Sequence, residues 1–311
     1  MVITTLVVLA CTRHDSSSSI WHELTRHPSI EMHGEIFTWS DAAYQHACSD
    51  EGRRGVHFLA SGATCPPPEI WKLRHSRPTE YVEWYLERAN GRDDKSVFGF
   101  KLLPGHFSPP IGKPDVMPRF LRAFARLELR IISFEFENKL RQWVAVRLAE
   151  DRRARTVVVD AAELRGFEQA VDAFRDGIAT GVFECAAKGL PVKLQAARAQ
   201  RDVHGDGVAD FLRRTFRFLG VEADVDGKYS TEAAVIRVER FVLAHPVLPT
   251  VCDISNVAAL PRNVTGRFLA CPPPAVAPAP AAPVVAAPPA PRGGKAPPSK
   301  RRHWLPFWRT S

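Results

Sequence analysis

Residues 9–37, LACTRHDSSSSIWHELTRHPSIEMHGEIF, run an apolar strand straight into four hydroxyls, Ser16, Ser17, Ser18 and Ser19, then into a helix, and end near an isolated carboxylate, Glu35. Hydroxyls at the point where a strand becomes a helix suit an anion cradle. The first N–H groups of a helix lack intrahelical partners and carry the positive end of its dipole, and small hydroxyl side chains add further donors. The other reading of the same four residues is a flexible serine linker. The nucleotide-hydrolase form of such a loop, G-x-x-x-x-G-K-[ST], is absent, since the turn holds no Gly and no Lys precedes a hydroxyl, and most of the case for ATPase or kinase chemistry goes with it.

The elements that would position these residues alternate. Residues 2–10 read as a buried strand and 18–27 as a helix, the opening of an α/β unit. TEYVEWYLERANG predicts a helix ended by Gly91, SVFGFKLL a short strand, PRFLRAFARL a helix with Pro118 near its first turn, and RIISFEF a buried strand. ENKLRQWVAVRLAED follows with Leu140, Trp143, Val144 and Leu148 on one helical face, then a long helical pattern over residues 161–178 and a strand at LPVKLQA. VADFLRRTFRFLGV predicts an amphipathic helix with Phe211, Leu212, Thr215, Phe218 and Leu219 inward and Arg213, Arg214 and Arg217 outward. Strands alternating with helices imply a mostly parallel sheet covered on both faces, with ligands beyond the carboxyl ends of its strands.

Composition sets the outer limits. A chain of 311 residues with 45% hydrophobic content can bury a full core, read here as one domain over residues 1–270. Residues 271–311 form a Pro/Ala-rich linker and a basic aromatic tail, expected to be disordered. That tail holds six Lys or Arg and no acid, and so accounts for most of the formal net charge of +8. A nearly neutral domain argues against nucleic acid as a partner. In the tail, Lys300, Arg301 and Arg302 beside Trp304, Phe307 and Trp308 suit peripheral contact with an anionic membrane surface, the alternative to a solvated terminus. Six Cys without a C-x-x-C pair or His at zinc spacing give no metal site, and they permit disulfides without demanding them. The opening MVITTLVVLAC lacks the basic start of a signal peptide and is too short to span a bilayer, so the expectation is a cytoplasmic protein.

Strand, Arg and Ser-rich turn, helix, then "HP" and "GE", as in TRHDSSSSIWHELTRHPSIEMHGEIF, resembles the start of the sulfotransferases that use 3′-phosphoadenosine 5′-phosphosulfate. FGFKLLPGH is similar to that family's G-x-K-L segment, RIISFEFENKLRQWVAVRLA to its strand and Asn-Leu helix, and FLRRTFRFLGV with DISNVAALPRNVTGRFL to its closing segments. The resemblance covers residues 2–270 and implies a P-loop-like α/β fold with in-line transfer of a sulfuryl group to an acceptor hydroxyl. On it, Arg13, Ser16, Ser17, Ser18, Ser19 and Asn138 would bind the nucleotide co-substrate, with Glu35 as the base for the acceptor and His33 in reserve. Lys101 either points at the ligand or merely ends a strand.

The chain departs from the family where the 3′-phosphate would sit. Glu135 and Phe136 occupy the positions of the family's Arg, and Ala145 that of its Ser. A carboxylate beside a phosphate is repulsive in a partly dry site. Arg141 and Arg147 are the nearby cations, with solvated helix charge as their plainer role. Two readings follow: a divergent sulfotransferase acting on a carbohydrate, lipid or small-molecule hydroxyl, or a catalytically inactive sulfotransferase-like binding or interaction protein.

Overall fold

Thr5 to Ala10 are buried throughout, and their side chains enter two cores in alternation: Leu6, Val8 and Ala10 one, Val7 and Leu9 the other. A strand covered on both faces needs no polar alternation, which is why this segment reads as an unbroken apolar run. These positions come from a computed structural model that describes residues 3–12, 17–37, 66–89, 94–104, 116–124, 127–136, 138–151, 156–198, 202, 207–244 and 254–255. The chain runs β1 (Thr5–Ala10), α1 (Ser17–Arg26), β2 (Ile30–Met32), α2 (Pro68–Ser76), α3 (Pro78–Ala89), β3 (Val97–Leu102) and α4 (Val116–Phe124). It continues through β4 (Glu128–Glu135), α5 (Lys139–Glu150), α6 (Ala161–Ala187), β5 (Val192–Arg198), α7 (Val208–Leu219) and α8 (Thr231–Ala244).

The five strands form one sheet in the order β2-β3-β1-β4-β5, every pairing parallel. Helices α1, α7 and α8 pack on the Val7 and Leu9 face, whereas α3, α4 and α6 pack on the other. A third, smaller cluster joins Leu140, Trp143 and Val144 of α5 to Val159 and Ile254. The expected class, α/β with a parallel sheet flanked by helices on both faces, is the observed one. Among the described residues no helix is long and apolar enough to cross a membrane. The tail, residues 271–311, lies outside the described residues.

Element bounds differ from expectation where packing overrides local pattern. Helix α6 continues nine residues beyond the predicted 178, through Gly181 to Ala187. Glycine weakens a helix read from sequence, yet here it is required: a Cβ on Gly181 would lie 2.7 Å from Leu121 Cδ1 and 3.1 Å from Pro118 Cα, so the glycine admits α4. In α7 it is Phe216, not Phe218, that is fully buried, while Phe218 is half-buried and its carbonyl accepts from Arg130. β2, α2 and α8 have no counterpart in the sequence reading.

His27 closes α1 and docks it. Its Nδ1 accepts from the Ser29 N–H at 3.2 Å, so the ring proton sits on Nε2, which donates to the Glu222 carbonyl at 2.8 Å. Phe216 and Tyr229 pack against the ring at 4.9 and 5.0 Å. Burial pushes the His27 pKa below its ordinary value of 6.5, partly countered by the carbonyl contact. The unfolded chain therefore takes up a proton at higher pH than the folded one, and stability present above the ordinary value is lost as pH falls below it. The urea midpoint should drop between about pH 7.5 and about pH 5.5, and drop less in His27→Gln. An equal drop in both proteins would show that the ring titrates freely.

Candidate functional site

Because every strand runs parallel, their carboxyl ends share one edge of the sheet, and the residues that follow each strand collect there. Lys101, next to last in β3, faces α1, and its Nζ donates to Ser18 Oγ at 3.2 Å. Its backbone N–H donates to the Gly34 carbonyl at 3.0 Å. One residue thus ties β3 to the first turn of α1 and to the segment that carries Glu35. On the other side of β1, Gln142 Nε2 donates to Thr12 Oγ1, which pins the first turn of α5 to the exit of β1. Asn138 is the N-cap of α5: its Oδ1 accepts from the Arg141 N–H at 3.1 Å.

Two helix N-termini, α1 and α5, therefore open at the same edge with a cation at each. Lys101 is one. The other is Arg141, which is only 3% exposed, and burial pushes its guanidinium pKa down from the ordinary arginine value. A buried cation at a helix N-terminus is unfavourable both for its own solvation and for the dipole.

The structure separates the serines. Successive helical residues point about 100° apart, so a run of hydroxyls cannot converge on one point. Ser18 meets Lys101, Ser17 is buried, and Ser19 is buried on the side of α1 that faces α8. Glu35 lies at the edge, half-buried, one residue beyond the last backbone contact of the β2 segment with β3, the Lys101 N–H to the Gly34 carbonyl, which follows His33 N–H to the Gly99 carbonyl at 2.8 Å. His33 turns inward between Tyr85 and Phe98, with ring centroids at 4.9 and 5.1 Å, and its Nε2 is 3.4 Å from Glu31 Oε1. Arg13 and Ser16 lie outside the described residues.

Glu135, set against a phosphate by the sequence reading, has its charge matched by Arg175 of α6, Nη2 to Oε1 2.7 Å. The repulsion expected from an unpaired carboxylate is correspondingly reduced. Ala145 and Phe136 are buried. Sequence reasoning did not single out Thr12, Gln142 or Arg175. Gln142 sits in a stretch already noted for its helix start, whereas Arg175 comes from a helix forty residues along the chain and carries no local signal.

No protein-family model and no curated protein matches the chain. Among solved structures it is similar to the sulfotransferase domain from the Synechococcus PCC 7002 olefin synthase, with a TM-score of 0.39 and 14% identity, covering 72% of this chain and 75% of that one.

Proposed function

We propose that this protein is a sulfotransferase that moves a sulfuryl group from 3′-phosphoadenosine 5′-phosphosulfate to a hydroxyl of a carbohydrate, lipid or small molecule. The observation that carries the reading is the Lys101–Ser18 contact at the mouth of α1, on the same edge as Glu35 and the N-terminus of α5. The first amides of α1 and the hydroxyl of Ser18 suit the 5′-phosphosulfate, and Arg141 supplies positive charge on the α5 side. In the transfer the acceptor oxygen attacks sulfur as the bond from sulfur to the bridging 5′-phosphate oxygen breaks. Glu35 takes the acceptor proton, and the Lys101 ammonium meets the charge that develops on the departing oxygen. A cytoplasmic location is the accompanying expectation.

Ala145 favours a second reading, a binding protein of the same fold without turnover, because no side-chain donor stands at that position of α5. Glu35→Gln separates the two. It keeps the shape of the side chain and removes its proton affinity, so turnover with a panel of hydroxyl acceptors and labelled sulfate donor should fall by roughly a hundredfold or more with nucleotide affinity little changed. Equal turnover in both proteins would move the base elsewhere, and nucleotide binding with no turnover in either would favour the second reading.

A further inference from the structure

Helices α1 and α8 face one another across the outer surface of the sheet, and both turn polar stripes toward the contact. On α1 the stripe is Ser19, His22, Glu23 and Arg26, at helical spacings of three, four and seven. On α8 it is Arg237 and Arg240, three residues apart, with Phe241 beside them. A helix pair that met only to be stable would place apolar residues on those stripes. Between them lies a cavity of about 310 Å³, open to solvent on its outer side, at the lower end of the range of about 300–1,000 Å³ for small-molecule sites.

Its charge is unbalanced. Glu23, almost fully buried, is satisfied by Arg237, with Nε to Oε1 3.0 Å and Nη2 to Oε2 2.7 Å, and by the Tyr229 hydroxyl at 3.5 Å. That pairing fixes the Arg237 guanidinium and uses its Nε and Nη2 edge, leaving Nη1 without a hydrogen bond among the described residues. Arg26 approaches Glu23 only to 3.9 Å, with its side chain 59% exposed. Arg240 is exposed and makes no ion pair among the described residues. Three arginines thus line the cavity against one carboxylate that is already matched. The fourth wall is aromatic, with the Phe241 ring 5.3 Å from the imidazole of His22.

We infer that this cavity is a binding site for a small phosphate or sulfate monoester of an aromatic alcohol. The oxyanion meets Arg26, Arg240 and the remaining edge of Arg237, and the ring packs on Phe241. Planar guanidinium groups match tetrahedral oxyanions through paired N–H donors; Arg26 is held only by its long contact to Glu23, and Arg240 makes no ion pair among the described residues. Of the residues named for the nucleotide only Ser19 lines the cavity, and neither Ser18 nor Lys101 does, so loss of ester binding in the arginine and Phe241 variants is read separately from the proposed transfer chemistry.

Calorimetric titration of the full-length chain with phenyl phosphate, phenyl sulfate and inorganic phosphate tests it. Both esters should bind, the phosphate more tightly for its greater charge, and inorganic phosphate roughly tenfold more weakly than phenyl phosphate. Arg26→Ala with Arg240→Ala removes two solvent-facing side chains and should leave the melting temperature nearly unchanged while weakening phenyl phosphate by about tenfold or more. Phe241→Ala should weaken the aryl esters and leave inorganic phosphate unaffected, a split that a merely structural role would not produce. No binding of phenyl phosphate at about 10 mM would overturn the inference, as would full affinity in the double arginine variant, which would put the ester elsewhere on the molecule.

Discussion

Gly99→Ala should cost about 3 kcal/mol or more of folding stability, a large effect for one added methyl group. Gly99 pairs with Val7 in the register of β3 on β1 and with Met32 on β2, in the interior of the sheet. A Cβ there would lie 2.2 Å from Val7 Cγ1, 2.7 Å from Met32 Sδ and 2.8 Å from the Val7 carbonyl oxygen. The two side chains can move; a carbonyl of the central strand cannot without breaking its ladder. Urea denaturation is the check, with Gly99→Ala/Val7→Ala recovering only part of the loss because the carbonyl contact remains. A single variant within about 0.5 kcal/mol of the unmodified protein would mean that β3 does not approach β1 as described. The effect extends to function, because Lys101 lies two residues along the same strand and on the same face.

Lys101→Met should lower sulfuryl transfer by about a hundredfold to a thousandfold, the range seen when one preorganised charge-stabilising group is lost. Methionine keeps the length of the buried stem and removes only the ammonium, so the contact with Ser18 Oγ disappears while the packing of β3 stays. Stability should hold or rise slightly, since a mostly buried cation is no longer carried in the folded state. That combination, lost turnover with an unchanged or raised urea midpoint, separates a catalytic cation from a structural tie. Turnover equal to that of the unmodified protein would remove Lys101 from the chemistry.

The parallel sheet and its two covered faces were legible from LVVLA, SVFGFKLL and RIISFEF, because a strand buried on both sides leaves an apolar run that needs no partner to be recognised. Asn138 was singled out for the nucleotide, and what its side chain does in the structure is cap α5, as Asn so often does. What stayed hidden depends on contacts distant in sequence. Whether Lys101 ends a strand or reaches for the serines is settled by a contact across a sequence separation of 83. Ser18 and Ser19 differ only through the helical rotation that sends one to β3 and the other to α8. The length of α6 was hidden because Gly181 looks like a helix breaker until α4 is packed against it. Likewise the charge of Glu135 cannot be read without Arg175.

Calorimetric titration of the full-length protein with 3′-phosphoadenosine 5′-phosphate, the product nucleotide of the proposed reaction, tests the central claim most directly. The account predicts saturable one-to-one binding with a Kd of about 0.1 mM or tighter, weakened at least tenfold in Lys101→Met. No binding at about 1 mM would contradict it and leave the serine turn as a linker between strand and helix.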